Sequence, residues 1–256
     1  MLKAALMPQD RQRILITGAS SGLGRQLARR FAEQGRDLAL CARRLDRLEE
    51  LRDELLAISP NSNIVLRQLD VTDFDDVLAA IPECAEQLGG LDRMIVNAGM
   101  MAGGRLGTGK FHDNALTLQT NVVGALAQVE AALQIFRKQG HGHLVMVSSM
   151  SAFRGLGKYL TTYAASKRAV AHLMEGVRVD LVGTKIKTTT LYPGFIRTEL
   201  NENAGKMLFE VNEETGAKAL HRAIEQEKAQ ACVPWWPWAL MSLALRLAPD
   251  SMVRKM

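Results

Sequence analysis

A tyrosine and a lysine four residues apart carry the clearest chemistry in this 256-residue chain. Tyr163 and Lys167 occupy positions i and i+4 of a predicted helix, so their side chains share one face. A free phenol loses its proton at about pH 10. An ammonium group one turn away favours the phenolate and brings the pair closer to the range of useful acid–base catalysis. The spacing therefore predicts a proton-transfer pair in which Lys167 lowers the pKa of Tyr163.

A glycine-rich segment, Thr17-Gly-Ala-Ser-Ser-Gly-Leu-Gly24, lies between a predicted strand and a predicted helix. Its glycines allow a tight turn and let the backbone approach a phosphate at the start of the helix. A strand before the turn and a helix after it are the context that a dinucleotide-binding loop requires. The segment predicts phosphate contacts from Gly18, Ser20, Ser21, Gly22, Leu23 and Gly24.

The same segment fits a second motif, Gly-x-Ser-x-Gly, with Ser20 as the nucleophile of a serine hydrolase. Such a serine needs an earlier strand to supply the oxyanion loop, and only one predicted strand precedes Ser20. The hydrolase is therefore the alternative function, and Ser20 is not expected to be a nucleophile.

Two arginines follow the second predicted strand. NAD-binding folds place an Asp or Glu about 20 residues after the glycines, where it accepts a hydrogen bond from the adenosine ribose. Here that position reads Cys41-Ala-Arg-Arg44, without a carboxylate. Because a guanidinium group suits the extra 2′-phosphate of NADP, the sequence favours NADP(H) as cofactor. Arg43 comes directly off the strand and is the first candidate, with Arg44 beside it.

Short apolar runs alternate with longer helical patterns along the chain. This alternation predicts an α/β fold with a single doubly wound Rossmann-type domain, a parallel sheet with helices on both faces. Strands are expected at 13–17, 37–41, 64–69, 93–96, 143–147 and 185–191, and helices at 24–34, 45–57, 73–88, 117–138, 163–181 and 213–226. The predicted catalytic domain spans 13–231, between a flexible N-terminus, 1–12, and a tryptophan-rich tail, 232–256.

The composition narrows the class of protein. Hydrophobic residues make up 47% of the chain and charged residues 23%, which excludes a disordered or collagen-like protein. Three widely spaced cysteines argue against a disulfide framework, and the five histidines show no ligand spacing, so no metal is expected. The net charge of +5 is scattered, which speaks against nucleic-acid binding. No secretory or membrane-spanning segment is visible, and a cytoplasmic location is expected.

Taken in order, these motifs resemble those of the short-chain dehydrogenase/reductase family, of the NADP-preferring type. The resemblance runs from about Arg13 to Thr198. The family's TGxxxGxG motif stands here as TGASSGLG, and its Asn-Asn-Ala-Gly motif as Val96-Asn-Ala-Gly99 with the first Asn replaced. The resemblance implies further cofactor contacts from Asp70, Val71, Asn97, Ala98, Gly99, Tyr163, Lys167, Pro193, Gly194, Ile196 and Thr198.

The resemblance also implies the catalytic roles. Tyr163 would be the general acid/base for hydride transfer between a nicotinamide and a carbonyl or alcohol, with Lys167 on the nicotinamide ribose and Asn121 holding a relay water. Ser149 would donate the second hydrogen bond to the carbonyl oxygen. It lies 14 residues before Tyr163, one more than is usual in the family, so Ser151 stays an alternative. This complete set disfavours a third class, a non-catalytic dinucleotide sensor.

Two features bear on substrate and partners. A lid segment, about 195–212, carries Met207, Leu208 and Phe209 and favours a hydrophobic ketone or aldehyde as substrate. The tail holds all three tryptophans, and it packs either on protein (its own domain or a sister subunit) or, as the alternative, on a membrane surface through peripheral contact, with Arg246, Arg254 and Lys255 facing anionic lipid. The resemblance implies a homodimer or homotetramer.

Overall fold

Seven parallel strands form one sheet in the order β3-β2-β1-β4-β5-β6-β7. The structure is a computed structural model and describes residues 11–201, 205 and 207–254. The strands are β1 (Arg13–Thr17), β2 (Asp37–Ala42), β3 (Ile64–Gln68), β4 (Arg93–Val96), β5 (His141–Val147), β6 (Lys185–Pro193) and β7 (Gln230–Val233).

Helices cover both faces of the sheet. They are α1 (Gly22–Ala32), α2 (Leu45–Ile58), α3 (Phe74–Gln87), α4 (Phe111–Leu118), α5 (Gly124–Gln139), α6 (Thr161–Asp180), α7 (Glu213–Glu225), α8 (Trp235–Leu247) and α9 (Asp250–Val253). Successive residues of β1 point to opposite faces: Leu15 joins the core under α3, α5 and α6, while Ile14 and Ile16 join the core under α1, α2 and α7. The predicted doubly wound Rossmann-type fold is therefore confirmed.

Strand β7 was not predicted, and the expected boundary between residues 231 and 232 falls inside it. The strand has four residues and begins with an exposed glutamine, too short a run to give a periodic signal. It pairs with β6 from Thr190–Gln230 to Pro193–Val233 and adds the last strand of the sheet. Helix α8 follows it directly and packs on the domain through Trp238 and Leu245, which are buried.

One long helix was predicted over 117–138, and the structure differs. Helix α4 begins six residues earlier, at Phe111, and a π-helical turn, Gln119–Val123, separates it from α5. Such a turn holds one extra residue and re-aims side chains, and it often marks a functional position. Here it contains the buried Asn121.

The two ends of the chain lie partly outside the described residues. Of the predicted flexible segment 1–12, residues 1–10 lie outside them, while Arg11 is buried and pairs with Glu227 at 2.8 Å. Residues 202–204 and 206 of the lid segment, and Lys255 of the tail, also lie outside them. Among the described helices, none is both long and apolar enough to cross a bilayer.

Candidate active site

A cavity of about 450 Å³ lies at the carboxyl ends of the central strands. Its centre is where β1 neighbours β4, the point at which the strand order reverses and where α/β sheets of this kind bind ligands. All the predicted site residues line it except Gly24 and Asn121. The predicted residues that line the cavity are Gly18, Ser20, Ser21, Gly22, Leu23, Arg43, Arg44, Asp70, Val71, Asn97, Ala98, Gly99, Ser149, Tyr163, Lys167, Pro193, Gly194, Ile196 and Thr198.

The glycine-rich loop has a backbone that other residues fit poorly. Gly18 has a φ of +65°, and a Cβ there would lie 2.9 Å from the Cα of Ala98. Gly24 lies outside the cavity wall, but a Cβ on it would come within 2.3 Å of the Gly18 carbonyl oxygen. The first turn of α1 therefore sits directly against the loop, which leaves a narrow cradle of backbone at a helix N-terminus that fits a pyrophosphate.

A hydrogen-bond network that was not predicted fixes this loop. Thr17 Oγ1 accepts from the backbone N–H groups of Asn97 at 3.2 Å and Ala98 at 3.1 Å, and donates to Gln128 Oε1 at 2.8 Å. Asn97 Nδ2 donates to the Thr17 carbonyl oxygen at 2.9 Å. Gln128 is fully buried on α5, and no sequence motif marks it. The loop is thus tied to the end of β4.

The two predicted phosphate-binding arginines differ in their surroundings. Arg44 Nη2 donates to Ser21 Oγ at 2.8 Å and to Glu199 Oε2 at 3.0 Å. Arg43 lines the cavity and is exposed, and its guanidinium has no ion pair with any described residue. The Arg43 guanidinium is therefore available to bind an anion, whereas Arg44 already binds the Glu199 carboxylate.

Glu199 lines the same part of the cavity and was missed by the sequence reasoning. It accepts from both Arg44 and Arg47, the latter at 2.9 Å. Hydrogen bonds from these arginines lower the pKa of Glu199 to about 2, so the carboxylate is ionised at neutral pH. Its partners lie more than 150 residues away in sequence, and no local pattern could have pointed to it.

Tyr163, Lys167 and Ser149 meet at the inner end of the cavity. Lys167 Nζ lies 5.8 Å from the centre of the Tyr163 ring and donates to the Val147 carbonyl oxygen at 3.0 Å. Burial lowers the pKa of Lys167 to about 8, because a charged ammonium is disfavoured away from water. Tyr163 and Lys167 both lie within α6, at the i and i+4 positions expected from their spacing.

The predicted direction of the Tyr163 pKa shift is wrong for the protein without cofactor. Burial raises the pKa of Tyr163, and the Ser149 hydroxyl, which favours the phenolate, opposes the rise only in part. The sequence spacing showed that an ammonium would be near, but it could not show how far the phenol would be withdrawn from water.

The surroundings of Ser149 and Ser151 differ and distinguish the two candidate serines. Ser149 lines the cavity and accepts a hydrogen bond from the Ser151 backbone N–H at 3.1 Å, capping a short 3-10 turn over Met150–Phe153. The Ser151 hydroxyl does not line the cavity, and it is buried without a hydrogen-bond partner among the described residues. Ser148 donates to the Lys167 carbonyl oxygen at 2.7 Å. Ser148 and Ser149 both line the cavity, and of these three serines Ser149 is the one whose hydroxyl bonds Tyr163.

Asn121 lies behind the cavity wall. Its Oδ1 accepts from the Met100 backbone N–H at 2.8 Å, and its Nδ2 donates to the Met100 carbonyl oxygen at 2.9 Å and to Ser166 Oγ at 3.0 Å. A Cβ on Gly99 would lie 3.2 Å from Asn121 Oδ1 and 3.3 Å from Lys167 Nζ. Asn121 therefore ties the loop after β4 to α6 and sits next to the lysine.

The alternative nucleophile, Ser20, lacks a base. Its hydroxyl oxygen accepts from Arg44 Nη2 at 3.2 Å, and no histidine is found among the described residues that line the cavity. A serine nucleophile needs a neighbouring base that removes its proton. The surroundings of Ser20 instead suit an anion.

The lid segment and the tail meet beside the cavity. Arg197 donates to Glu210 at 3.0 and 2.7 Å and pins the base of the lid segment. Trp238 of α8 lies against Gly194, where a Cβ would come within 2.1 Å of the indole ring, and its ring centre lies 6.4 Å from that of Phe209. The tail therefore packs on its own domain and supports the cavity wall, which is one of the placements expected from the sequence.

Sequence comparisons match most of this chain to known proteins. A sequence profile described as short chain dehydrogenase matches residues 12–208. An uncharacterized oxidoreductase of Mycobacterium tuberculosis is 46% identical over 245 residues, which cover 96% of this chain and 97% of that protein.

Two solved structures show the same fold. A short-chain dehydrogenase/reductase from Burkholderia phymatum in complex with NAD has a TM-score of 0.82 at 24% identity and covers 94% of each chain. An alcohol dehydrogenase from the archaeon Thermococcus sibiricus, complexed with 5-hydroxy-NADP, has a TM-score of 0.77 at 24% identity, covering 86% of this chain and 95% of that one.

Proposed function

Because this chain belongs to the short-chain dehydrogenase family, and is thus an oxidoreductase acting on CH–OH or C=O groups, we propose that it is an NADP(H)-dependent carbonyl reductase with Tyr163 as its general acid. One observation carries the proposal. Tyr163, Lys167 and Ser149 line the same cavity as the glycine-rich loop and Arg43, so proton donors and a dinucleotide cradle face one space. A carbonyl carbon that accepts hydride there would have proton donors at its oxygen.

The side chains divide the work of reduction. When bound, NADPH would supply the hydride for a carbonyl carbon. Tyr163 Oη gives its proton to the oxygen, so that hydride and proton together convert C=O to CH–OH. Ser149 donates a second hydrogen bond to that oxygen as its negative charge develops. The Lys167 ammonium, protonated below its pKa of about 8, binds ribose hydroxyls and stabilises the phenolate left on Tyr163.

The proposed preference for NADP(H) rests on charge at the end of β2. A carboxylate that would bind a ribose 2′-hydroxyl and repel a 2′-phosphate is absent from Cys41-Ala-Arg-Arg44. Arg43 lines the cavity without a described ion-pair partner, and Arg44 crosses Ser20 and Ser21 at the same end. A phosphate on the adenosine ribose would meet a guanidinium group there.

The proposed substrate is a hydrophobic ketone or aldehyde. Leu208 and Phe209 in the lid segment are 68% and 47% exposed, and Leu200, which lines the cavity, is 47% exposed. An apolar substrate that covers these side chains removes their surface from water, which favours binding. Polar sugars of similar reactivity are expected to be poor substrates.

We also propose a homo-oligomer, a homodimer or homotetramer, in the cytoplasm. Val123 in the π-helical turn and Leu126 in α5 are exposed, and Val179 at the end of α6 and Val182 just after it are 70% and 79% exposed. Apolar groups gathered on the outer helices suit a subunit contact.

The proposed cytoplasmic location rests on the cysteines. Cys41, Cys84 and Cys232 are all free, which suits a reducing compartment.

The experiment for this proposal measures cofactor and substrate together. NADPH and NADH are titrated in parallel by nicotinamide fluorescence, and NADPH consumption is then followed with a panel of apolar ketones and with sugars. Tighter NADPH binding, lost in Arg43→Gln but kept in a matched Arg105→Gln variant, supports the cofactor assignment. Equal binding of both cofactors overturns the NADP preference, and the absence of binding overturns the reductase function.

A further inference from the structure

Helix α8 carries apolar side chains on opposite faces. Trp238, Met241 and Leu245 pack against the domain. Leu240, Leu243 and Leu247, at helical spacing on the other side, are 60%, 55% and 76% exposed. We call Leu240, Leu243 and Leu247 the outer stripe. Packing on the domain therefore covers one apolar face of this helix and leaves the other exposed.

Two exposed tryptophans precede the regular turns of α8, because the backbone of Trp236 is non-helical and kinks the helix there. Trp235 and Trp236 are 72% and 66% exposed. Exposed tryptophan pairs are rare on a surface that faces only water, whereas tryptophan is enriched where a protein meets lipid headgroups. The patch is thus apolar along its length and aromatic at one end.

A third face of α8 adjoins the outer stripe and is cationic. Trp235, Ala239, Ser242 and Arg246 line a cavity of about 760 Å³ that also reaches α7 and the edge of β7, which we call the edge cavity. Arg222 and Lys228 line it as well, and no acidic residue is found among its described lining residues. Arg246 lies over the Phe153 ring at 4.7 Å.

The positive charge of these three residues is not balanced nearby. Arg222, Lys228 and Arg246 form no ion pair with a described residue. The acids closest in sequence are engaged elsewhere: Glu225 pairs with Arg93, Glu227 with Arg11, and Asp250 with Arg154. The apolar stripe is therefore bordered by three uncompensated cations.

We propose that this face of α8 docks on an anionic lipid surface. Trp235, Trp236 and the outer stripe would enter the boundary between headgroups and acyl chains, while Arg222, Lys228 and Arg246 meet lipid phosphates. The regular turns of the helix, 237–247, have 11 residues and a length of about 16 Å, which suits a helix lying in the plane of the interface. This docking does not depend on the oxidoreductase reaction.

A second copy of the chain fits this face less well. A two-fold interface places the same patch of both subunits in contact. Such a contact would bring the cations of both subunits into one interface, where the described residues of the edge cavity offer no acid to pair with them, and like charges without partners cost energy. An anionic headgroup layer supplies the opposite charge, so charge complementarity selects lipid as the occupant.

Vesicle sedimentation of the full chain tests the docking. Phosphatidylcholine vesicles with and without phosphatidylserine are compared, together with the tryptophan emission of the bound protein. Binding is expected only with phosphatidylserine and should weaken with added salt. The triple variant Arg222→Gln, Lys228→Gln, Arg246→Gln should lose about 100-fold in affinity, at about tenfold or less per cation. Leu240→Ser with Leu243→Ser should also abolish binding.

Matched variants separate the docking surface from general charge and apolarity. Arg105→Gln, Lys185→Gln, Lys187→Gln removes three other exposed cations, and Leu106→Ser with Phe111→Ser removes two other exposed apolar side chains. Both are expected to bind vesicles as the wild type does. Circular dichroism and thermal unfolding of every variant report on its fold. The proposal is overturned if the wild type does not bind, if the matched variants lose binding equally, or if Leu240→Ser with Leu243→Ser dissociates an oligomer instead.

Discussion

Glu199 Oε2 accepts a 3.0 Å hydrogen bond from Arg44 Nη2, which joins the segment after β6 to the end of β2 across the cavity mouth. Arg47 binds the same carboxylate at 2.9 Å. A carboxylate between two guanidinium groups resembles the setting of a bound phosphate. The chain thus holds an anion of its own beside the place where the 2′-phosphate of NADP is proposed to bind.

Substituting Glu199→Gln is expected to tighten NADPH binding about threefold and to leave NADH binding unchanged. The variant removes a negative charge that occupies Arg44 and repels a phosphate, and exposed charge pairs are worth about 0.2–1 kcal/mol. Parallel fluorescence titrations measure the two affinities. Glu49→Gln, which neutralises an exposed acid on α2, is the control. Weaker NADPH binding in Glu199→Gln would show instead that the carboxylate positions Arg44 for the cofactor.

Lys167 predicts a pH-dependent stability. Its pKa falls from 10.5 to about 8 on folding, so between these values the unfolded chain binds more protons. The cost of the buried charge is full below about pH 8 and disappears as pH rises to 10.5. The unfolding free energy of Lys167→Met minus that of the wild type should therefore fall by up to about 3 kcal/mol between these limits.

Urea unfolding of both proteins without cofactor, at several pH values, measures this difference. Subtracting the two proteins removes the contributions of other titrating groups. A difference that stays constant with pH would contradict the assignment of a lowered pKa to Lys167.

Gly194→Ala should destabilise the protein. Its Cβ would lie 2.1 Å from the buried Trp238 ring, so either the cavity wall or α8 must shift, and overpacking of this kind costs about 1–3 kcal/mol. Gly176→Ala is the matched substitution, since a Cβ there meets no atom within 4 Å inside α6. It should stabilise by about 0.5–1 kcal/mol, because alanine favours the helix. Thermal unfolding compares the two, and equal stability would refute the proposed packing of the tail.

How much the sequence could predict depends on how local each signal is. The residues of the glycine-rich loop follow one another directly, and Tyr163 and Lys167 are four residues apart, so both signals are visible in the local sequence. The structure brings both to one cavity. The contact between Glu199 and Arg44 spans 155 residues and has no local signature. The pKa of Tyr163 depends on burial, which only the assembled fold determines.

Secondary structure, too, was predictable where its signal is local and not where it depends on distant residues. Buried strands flanked by long helices were predictable from apolar runs, whereas β7 is four residues long and is a strand because β6 lies beside it. The π-helical turn at Asn121 interrupts a continuous helical pattern, and the side-chain bonds of Asn121 to Met100 and Ser166 account for its place in the fold.

Reduction of an apolar ketone by NADPH, compared between Tyr163→Phe and Tyr159→Phe, tests the proposed reaction most directly. Tyr159 is 50% exposed and does not line the cavity, so its substitution controls for the loss of a phenol hydroxyl. Tyr163→Phe is expected to lower kcat by about 10²–10⁴-fold while binding NADPH as the wild type does, since it removes only the proton donor. Tyr159→Phe should keep the full rate. A Tyr163→Phe enzyme that retains most of its kcat would contradict the role of Tyr163 as the general acid.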